Sequence, residues 1–247
     1  MSSMRRPRVL QIVHQSTSDP GRVGQIFGDL GFESDRRCPN LGDPLPATLD
    51  EHDAVVIYGG PQSANDVNDP DAPGIRAELD FVPTVLQSGK PFLGICLGAQ
   101  ILAKSLGAKV DLHPDGFVEA GYYRIEPTAE GDDYFDGPAM FYQWHKEGFD
   151  VPTGATLLAQ SAIFQNQVFR YGEKAYGLQF HPEVLEPVIQ LWSTDSPDRL
   201  KMPGARPAET HLAEFKKFDK EVDRWIRRFI ERLVSHRGDS MQVEAAE

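Results

Sequence analysis

Along the first half of the chain, short apolar runs alternate with stretches whose apolar residues recur every three or four positions. Arg8–His14 (RVLQIVH) is rich in β-branched residues and suits a buried strand. A turn at Ser18-Asp19-Pro20-Gly21 leads into Arg22–Leu30, where Val23, Ile26, Phe27 and Leu30 share one face of a helix that Gly31 ends. Asp53–Tyr58 (DAVVIY) reads as a second buried strand and stops at Gly59-Gly60-Pro61. Asn65–Gly74 is rich in Asn, Asp and Pro and reads as loop. Ile75–Gln87 sets Leu79, Val82 and Leu86 on a helical face, with Pro83 either tolerated or kinking the helix. Pro91–Ile95 is a third apolar strand, followed at once by a helical Ala99–Leu106. This alternation predicts an α/β fold with a mainly parallel central sheet and right-handed crossovers.

The second half has a different rhythm. Tyr122–Glu126, Ala155–Ser161, Gln167–Tyr171 and Ala175–Phe180 look like strands joined by short turns such as Gly172-Glu173-Lys174. They predict antiparallel strands added to the parallel core. Asp195–Pro207 is polar and carries Pro197, Pro203 and Pro207. Then Leu212, Phe215, Phe218, Val222, Trp225, Ile226, Phe229, Ile230 and Leu233 trace the stripe of a long amphipathic helix. Its outer face mixes Lys216, Arg224 and Arg228 with Glu214 and Asp223, as expected of a helix packed on the sheet with a solvated side. A helix that docks a partner carries the same pattern. Arg237–Glu247 is expected to fray. These readings give one domain over residues 1–190, with a polar linker, a C-terminal helix packed on it and a tail over 191–247.

Composition narrows the partners. The 247 residues carry 25 Lys and Arg against 37 Asp and Glu, a formal charge of −12. An acidic surface disfavours nucleic acid and anionic membranes, so neither is expected as a partner. The chain is long enough to bury a substantial core. Two cysteines, Cys38 and Cys96, make no disulfide scaffold, which points to a reducing, cytoplasmic setting. The apolar stretch near the start is broken by Gln11 and His14, too short and polar for a signal peptide. No apolar run approaches the roughly 18 residues of a membrane helix. His14, His52, His113 and His211 show no zinc-ligand spacing, and no metal or organic cofactor is expected.

The most informative segment is Pro91–Gln100 (PFLGICLGAQ). A strand runs into Cys96 and a helix starts just beyond, with Gly94 and Gly98 two positions to either side. This is the G-x-C-x-G form of a nucleophile elbow. A strand turning straight into a helix strains the corner residue and crowds its neighbours, so only glycine fits there. The sulfur is then presented at the carboxyl edge of the sheet and at a helix N-terminus, which favours the thiolate. A buried cysteine is more often a small apolar core residue, and Cys38, near a Pro-Asn turn, reads as one. A second segment shifts the balance for Cys96. Ala175–Glu183 (AYGLQFHPE) is a strand ending in His181-Pro182-Glu183. A thiolate that cleaves an amide needs an acid–base partner and an orienting group, and His181 and Glu183 suit those roles. If this strand and the Cys96 strand are parallel neighbours, their carboxyl ends meet. A third segment, Tyr58–Ser63 (YGGPQS), is an ordinary glycine turn that can also supply an oxyanion donor from Gly60, beside the backbone N–H of Leu97.

Together these motifs resemble the class I, triad-type glutamine amidotransferases, with a layout like that of the glutaminase domain of GMP synthetase: GGP, then GICLGAQ, then QFHPE. The resemblance runs from about Val9 to about Val184. It implies an open three-layer α/β/α sandwich of flavodoxin-like type. It also implies attack by Cys96 on the side-chain amide of L-glutamine, a γ-glutamyl thioester and release of ammonia. His181 and Glu183 would complete the triad, Gly60 and Leu97 the oxyanion hole, and Gln100 would lie beside the bound glutamine. Trp144-His145-Lys146 falls where the family has a histidine-containing loop near the substrate, although Lys146 replaces the usual glycine. His145 and Lys146 are therefore substrate-loop candidates, with a structural histidine as the alternative for His145.

Family members commonly feed ammonia to a synthetase, fused or as a separate subunit. No P-loop is present, and the residues after Val188 are too few for an ATP-pyrophosphatase domain. A separate synthetase subunit and a homodimer both stay open as partners. Three readings remain: a glutamine amidotransferase or glutaminase with an unidentified acceptor, a stand-alone γ-glutamyl peptide hydrolase using the same thioester, and a non-catalytic binding module on the same fold.

Overall fold

The structure, a computed structural model, describes residues 5–137 and 139–235. The expected tail Arg237–Glu247 lies outside the described residues. In chain order the elements are β1 (Arg8–Ile12), α1 (Gly21–Asp29), β2 (Glu33–Arg37), β3 (Ala54–Ile57), α2 (Pro73–Gln87), β4 (Phe92–Ile95) and α3 (Leu97–Ser105). There follow β5 (Val110–Leu112), β6 (Glu119–Pro127), β7 (Ala139–His145), β8 (Glu147–Phe149), β9 (Ala155–Gln160), β10 (Asn166–Tyr171), β11 (Ala175–Leu178), α4 (Glu186–Asp195) and α5 (Ala208–Ser235).

Nine strands form one sheet in the order β2-β1-β3-β4-β11-β10-β9-β6-β7. The half from β2 to β11 is parallel, and from β11 to β7 each neighbour is antiparallel. The α/β class and the added antiparallel strands are therefore as the sequence pattern predicts. β4 and β11 lie side by side at the centre with Gly94 opposite Gly177 and Ile95 opposite Leu178. Their carboxyl ends, which carry Cys96 and His181, are neighbours.

Helices cover both faces. Val23, Ile26 and Phe27 of α1 and Val222, Trp225, Ile226, Phe229 and Ile230 of α5 pack over Val9, Val56 and Leu93. Ile75, Val82 and Val85 of α2 and Ile101 and Leu102 of α3 pack over Leu10, Ile57 and Phe92 on the other side. Each such side chain, once fully buried, contributes roughly 1.5–3 kcal/mol. The apolar stripe of α5 is thus spent on the sheet, and its Trp225 indole also donates to the Tyr134 carbonyl at 2.8 Å. No helix among the described residues is long and apolar enough to cross a membrane.

Several elements differ from the sequence pattern. β2 (ESDRR) has no apolar residue; it is an edge strand, where charged side chains are tolerated because one side faces solvent. β7 (AMFYQWH) holds Trp144 and His145 at the end of a strand, with only Lys146 in the turn to β8. α4 runs across residue 190, so the segment before Pro197 is helical where a linker is expected. α2 is one continuous helix through Pro83 and begins at Pro73 rather than Ile75. β5 and β8 pair as a separate two-stranded sheet, too short for a period to show.

Candidate active site

Cys96 sits between β4 and α3 with φ 50° and is the one non-glycine residue at positive φ among the described residues. The corner is held by the Cys96 N–H donating to the Leu178 carbonyl at 2.7 Å and by the Gln100 N–H donating to the Cys96 carbonyl at 3.0 Å. The flanking glycines have a steric cause. A Cβ on Gly94 would stand 2.5 Å from the Gly98 carbonyl oxygen, and one on Gly98 would stand 2.0 Å from the Ile57 carbonyl oxygen. Both obstacles are backbone and cannot rotate away. Gly98→Ala is expected to destabilise the fold by about 2–3 kcal/mol, read as a lower urea midpoint with unchanged slope. An unchanged midpoint would show that the elbow yields.

His181 follows β11 and is anchored by its N–H to the Tyr142 carbonyl at 2.8 Å. The ring is 4% exposed, and its Nδ1 lies 2.7 Å from Glu183 Oε1. Nε2 has no hydrogen-bond partner among the described residues, and the Cys96 sulfur acts on the ring electrostatically. Burial works to lower the His181 pKa, but the Glu183 carboxylate and the Cys96 sulfur outweigh it and push it up to about 10. The turn carrying Glu183 is clamped from α1. The Arg22 N–H donates to the Glu183 carbonyl at 2.9 Å, and the Arg22 guanidinium donates to the Pro182 carbonyl and pairs with Asp219 and Asp223 of α5. The His181 ring meets Trp192 of α4 in a T-shaped contact at 5.0 Å.

The Gly59-Gly60 turn closes the third side. A Cβ on Gly59 would stand 2.6 Å from His181 Cε1 and 3.5 Å from Cys96 Cβ, so this loop packs directly on the pair. The Gly60 N–H donates to no group among the described residues. Leu97 is the first residue of α3, where a helix leaves its N–H without an intrahelical acceptor. Gly60, Leu97 and Cys96 line one cleft together with Gln62, Gln100, Trp144, His145, Lys146, Glu147 and Arg199.

The structure thus brings Cys96, His181, Glu183, Gly60 and Leu97 together. The other expected residues border the same cleft with different engagements. Gln100 Nε2 donates to the Glu147 carbonyl at 2.8 Å and to Gln179 Oε1 at 3.3 Å. His145 is buried with both ring nitrogens engaged, Nδ1 by the Glu147 carbonyl and Nε2 by Glu119 Oε2, each at 2.9 Å. Lys146 is exposed on the rim. Cys38 is buried away from this cleft, its thiol pushed up chiefly by burial.

Three contributors were not picked out from the sequence. Gln179 Nε2 points at Cys96 Sγ from 3.7 Å; it sits inside the QFHPE run and was legible there. Arg199 donates to the Trp144 carbonyl at 3.2 Å and lies over the Trp144 ring at 5.4 Å. Trp192 stacks on Trp144 at 5.9 Å. Arg199 and Trp192 come from the stretch between Val188 and Pro207, where the sequence carries no recognisable motif. A larger hollow between Lys109, His113, Phe149 and Phe164 is lined by no cysteine, serine or threonine, and its Lys109–Asp111 ion pair is exposed to solvent.

The profile of the glutamine amidotransferase class-I family matches residues 37–187, more than half of the chain. The glutamine amidotransferase-like protein YfeJ of Salmonella typhimurium is 28% identical over 235 residues, spanning 92% of this chain and 97% of its own. The glutamine-hydrolyzing GMP synthase of Vibrio vulnificus is 32% identical over 136 residues, 53% of this chain but 24% of that protein. Among solved structures, a glutamine amidotransferase from Thermotoga maritima has a TM-score of 0.82 at 33% identity and covers 93% of this chain and 99% of its own. One from Methylobacillus flagellatus has a TM-score of 0.82 at 25% identity, covering 94% and 95%.

Proposed function

Given that the chain belongs to the class-I glutamine amidotransferase family, we propose that it hydrolyses the side-chain amide of glutamine through a Cys96 γ-glutamyl thioester and releases ammonia to an acceptor. One observation carries this reading: the sole non-glycine residue held at positive φ among the described residues is a cysteine, and it faces a buried His181–Glu183 pair. Strain of this kind is retained where it aims a reacting group.

Cys96 Sγ, as thiolate, attacks the carboxamide carbon, and the oxygen takes up the negative charge between the Gly60 and Leu97 N–H groups. His181 Nε2 gives its proton to the amide nitrogen, the carbon–nitrogen bond breaks and ammonia leaves. Water then attacks the thioester carbon while His181 takes its proton, and glutamate departs with the thiolate regenerated. Glu183 holds His181 Nδ1 throughout. Arg199 and Lys146 place two cations on the cleft rim of an otherwise acidic chain, which suits a substrate that carries a carboxylate.

The experiment is to incubate the purified protein with glutamine and, separately, with γ-glutamyl dipeptides, following glutamate, ammonia and free amino acid. Release of glutamate and ammonia from glutamine is the expected result. Cleavage of the dipeptides alone transfers the reading to a γ-glutamyl peptide hydrolase, since both reactions pass through the same thioester. No glutamate from any of these, with a candidate acceptor enzyme also supplied, rejects both.

A further inference from the structure

His14 lies two residues beyond the end of β1, outside the three motifs, and its side chain is fully buried. Its ring bridges two acceptors. Nε2 is 3.0 Å from Glu78 Oε2 of α2, and Nδ1 is 3.1 Å from the Gly59 carbonyl oxygen. Glu78 is itself completely buried, and its other oxygen has no partner. A carboxylate in that position is costly unless a proton or a cation is shared with it. On whichever side of the Nε2–Oε2 contact the shared proton rests, Nδ1 is left as the group that must donate to Gly59, because two facing lone pairs at 3.1 Å would repel. The His14 pKa is raised: burial lowers it, and the charge and hydrogen bond of Glu78 with the Gly59 carbonyl outweigh that.

The Gly59 carbonyl and the Gly60 N–H are two ends of one peptide unit. A peptide between two glycines has little steric preference for which end faces the cleft. Turned over, it would aim a carbonyl oxygen at the developing oxyanion. His14 opposes that turn by two means. It bonds the carbonyl end, and it packs against the loop so closely that a Cβ on Gly60 would stand 2.6 Å from His14 Cβ and Cγ. A donor on the carbonyl also polarises the amide, making the N–H at the other end a stronger donor. The loop is therefore held between His14 behind it and His181 in front.

We propose that His14, braced by Glu78, is the positioning residue for the Gly59–Gly60 peptide and thereby for the oxyanion-binding N–H of Gly60. This rests on the amide-hydrolysis reading for the role of that N–H, but the hydrogen bond can be tested without it.

Two variants separate the bond from the bulk. His14→Leu keeps volume and loses the donor; His14→Asn places an amide nitrogen where Nδ1 was. For glutamine or whichever γ-glutamyl compound is turned over, His14→Leu is expected to lower kcat about 100-fold with KM changed less than about threefold, because the lost interaction acts in the transition state. His14→Asn should restore at least tenfold of that loss. Affinity for a γ-aldehyde analogue, which forms an oxyanion on adding to Cys96, should fall in step with kcat, while affinity for glutamate holds. Equal kcat in wild type and His14→Leu, or identical losses in folded Leu and Asn variants, overturns the assignment. If His14→Leu does not fold, the Asn variant and Glu78→Gln carry the same comparison. Independently of turnover, two-bond proton–nitrogen spectra of the wild-type protein should show His14 Nδ1 protonated. An unprotonated Nδ1 rejects the proposal even in a fully active enzyme, whereas a protonated Nδ1 in a protein inactive on all substrates rejects the reaction and leaves the hydrogen bond standing.

Discussion

Cys96→Ala is expected to reduce glutamine hydrolysis by a factor of about 1,000 or more while leaving a folded protein. The magnitude follows from the role. On the proposed reaction no thioester forms without the nucleophile, and what remains is the proposed oxyanion donors acting on direct attack by water, typically a small residue of the full rate. Stability follows from the position. The sulfur occupies a corner between β4 and α3 whose order comes from backbone bonds to Leu178 and from Gln100, and those do not need the side chain. Alanine keeps a Cβ at φ 50°, so it keeps the strain; glycine removes it. Cys96→Gly should therefore melt above Cys96→Ala. About 1 kcal/mol of relieved strain corresponds to roughly 2–4 °C in a chain of this size. Glycine is also preferred over alanine as a helix N-cap, so both effects act in one direction, and a side chain kept there against both marks a position held for chemistry at a cost in stability. An alanine variant that retains near-wild-type turnover sinks the whole site assignment.

How much of this was legible in the sequence depends on whether an element carries its own periodicity. β1, β3 and β4 are apolar on both faces because the parallel centre is covered by helices on both sides, and their runs stand out. α5 declares itself through nine apolar residues in register with a helix. β2 does not, since an edge strand has half its surface in water and here holds charged residues with Asp35 facing inward. β7 was hidden for the opposite reason: Met140, Phe141 and Tyr142 are apolar on consecutive positions, with Trp144 just beyond Gln143, so no period of two emerges. In the site, the residues close to Cys96 in the motifs were legible because steric demands make them glycines. Arg199 and Trp192 were not, because what brings them to the cleft is the packing of α4 beside β7, with Trp192 against Tyr142 and Trp144. His14 was seen only as an isolated histidine; its partner Glu78 is 64 positions away, and nothing local couples them.

Glu183→Gln tests the last member of the site and should cost activity by a route distinct from loss of the nucleophile. In the wild type, Glu183 Oε1 accepts from His181 Nδ1, which leaves Nε2 toward Cys96. A glutamine amide can turn its NH2 toward Nδ1, making that nitrogen an acceptor and putting the one proton of a neutral ring on Nε2. Nε2 then cannot accept the thiol proton. A fall in kcat of up to about 10,000-fold is expected, the size of loss when the orienting carboxylate of such a set is replaced by its amide. The same substitution has a signature in stability. The His181 pKa is raised from 6.5 to about 10, so its protonation stabilises the fold fully below 6.5 and that contribution is lost as the pH rises through about 10. Removing the Glu183 charge lets burial, which lowers the pKa, gain ground. The stability gap between wild type and Glu183→Gln should therefore be largest near pH 6, on the order of a few kcal/mol, and narrow toward pH 10. Urea unfolding of both proteins at several values across that interval measures it. A gap that stays constant with pH would mean that Glu183 acts on His181 through orientation alone, and the charge pairing argued for the buried site would have to be withdrawn.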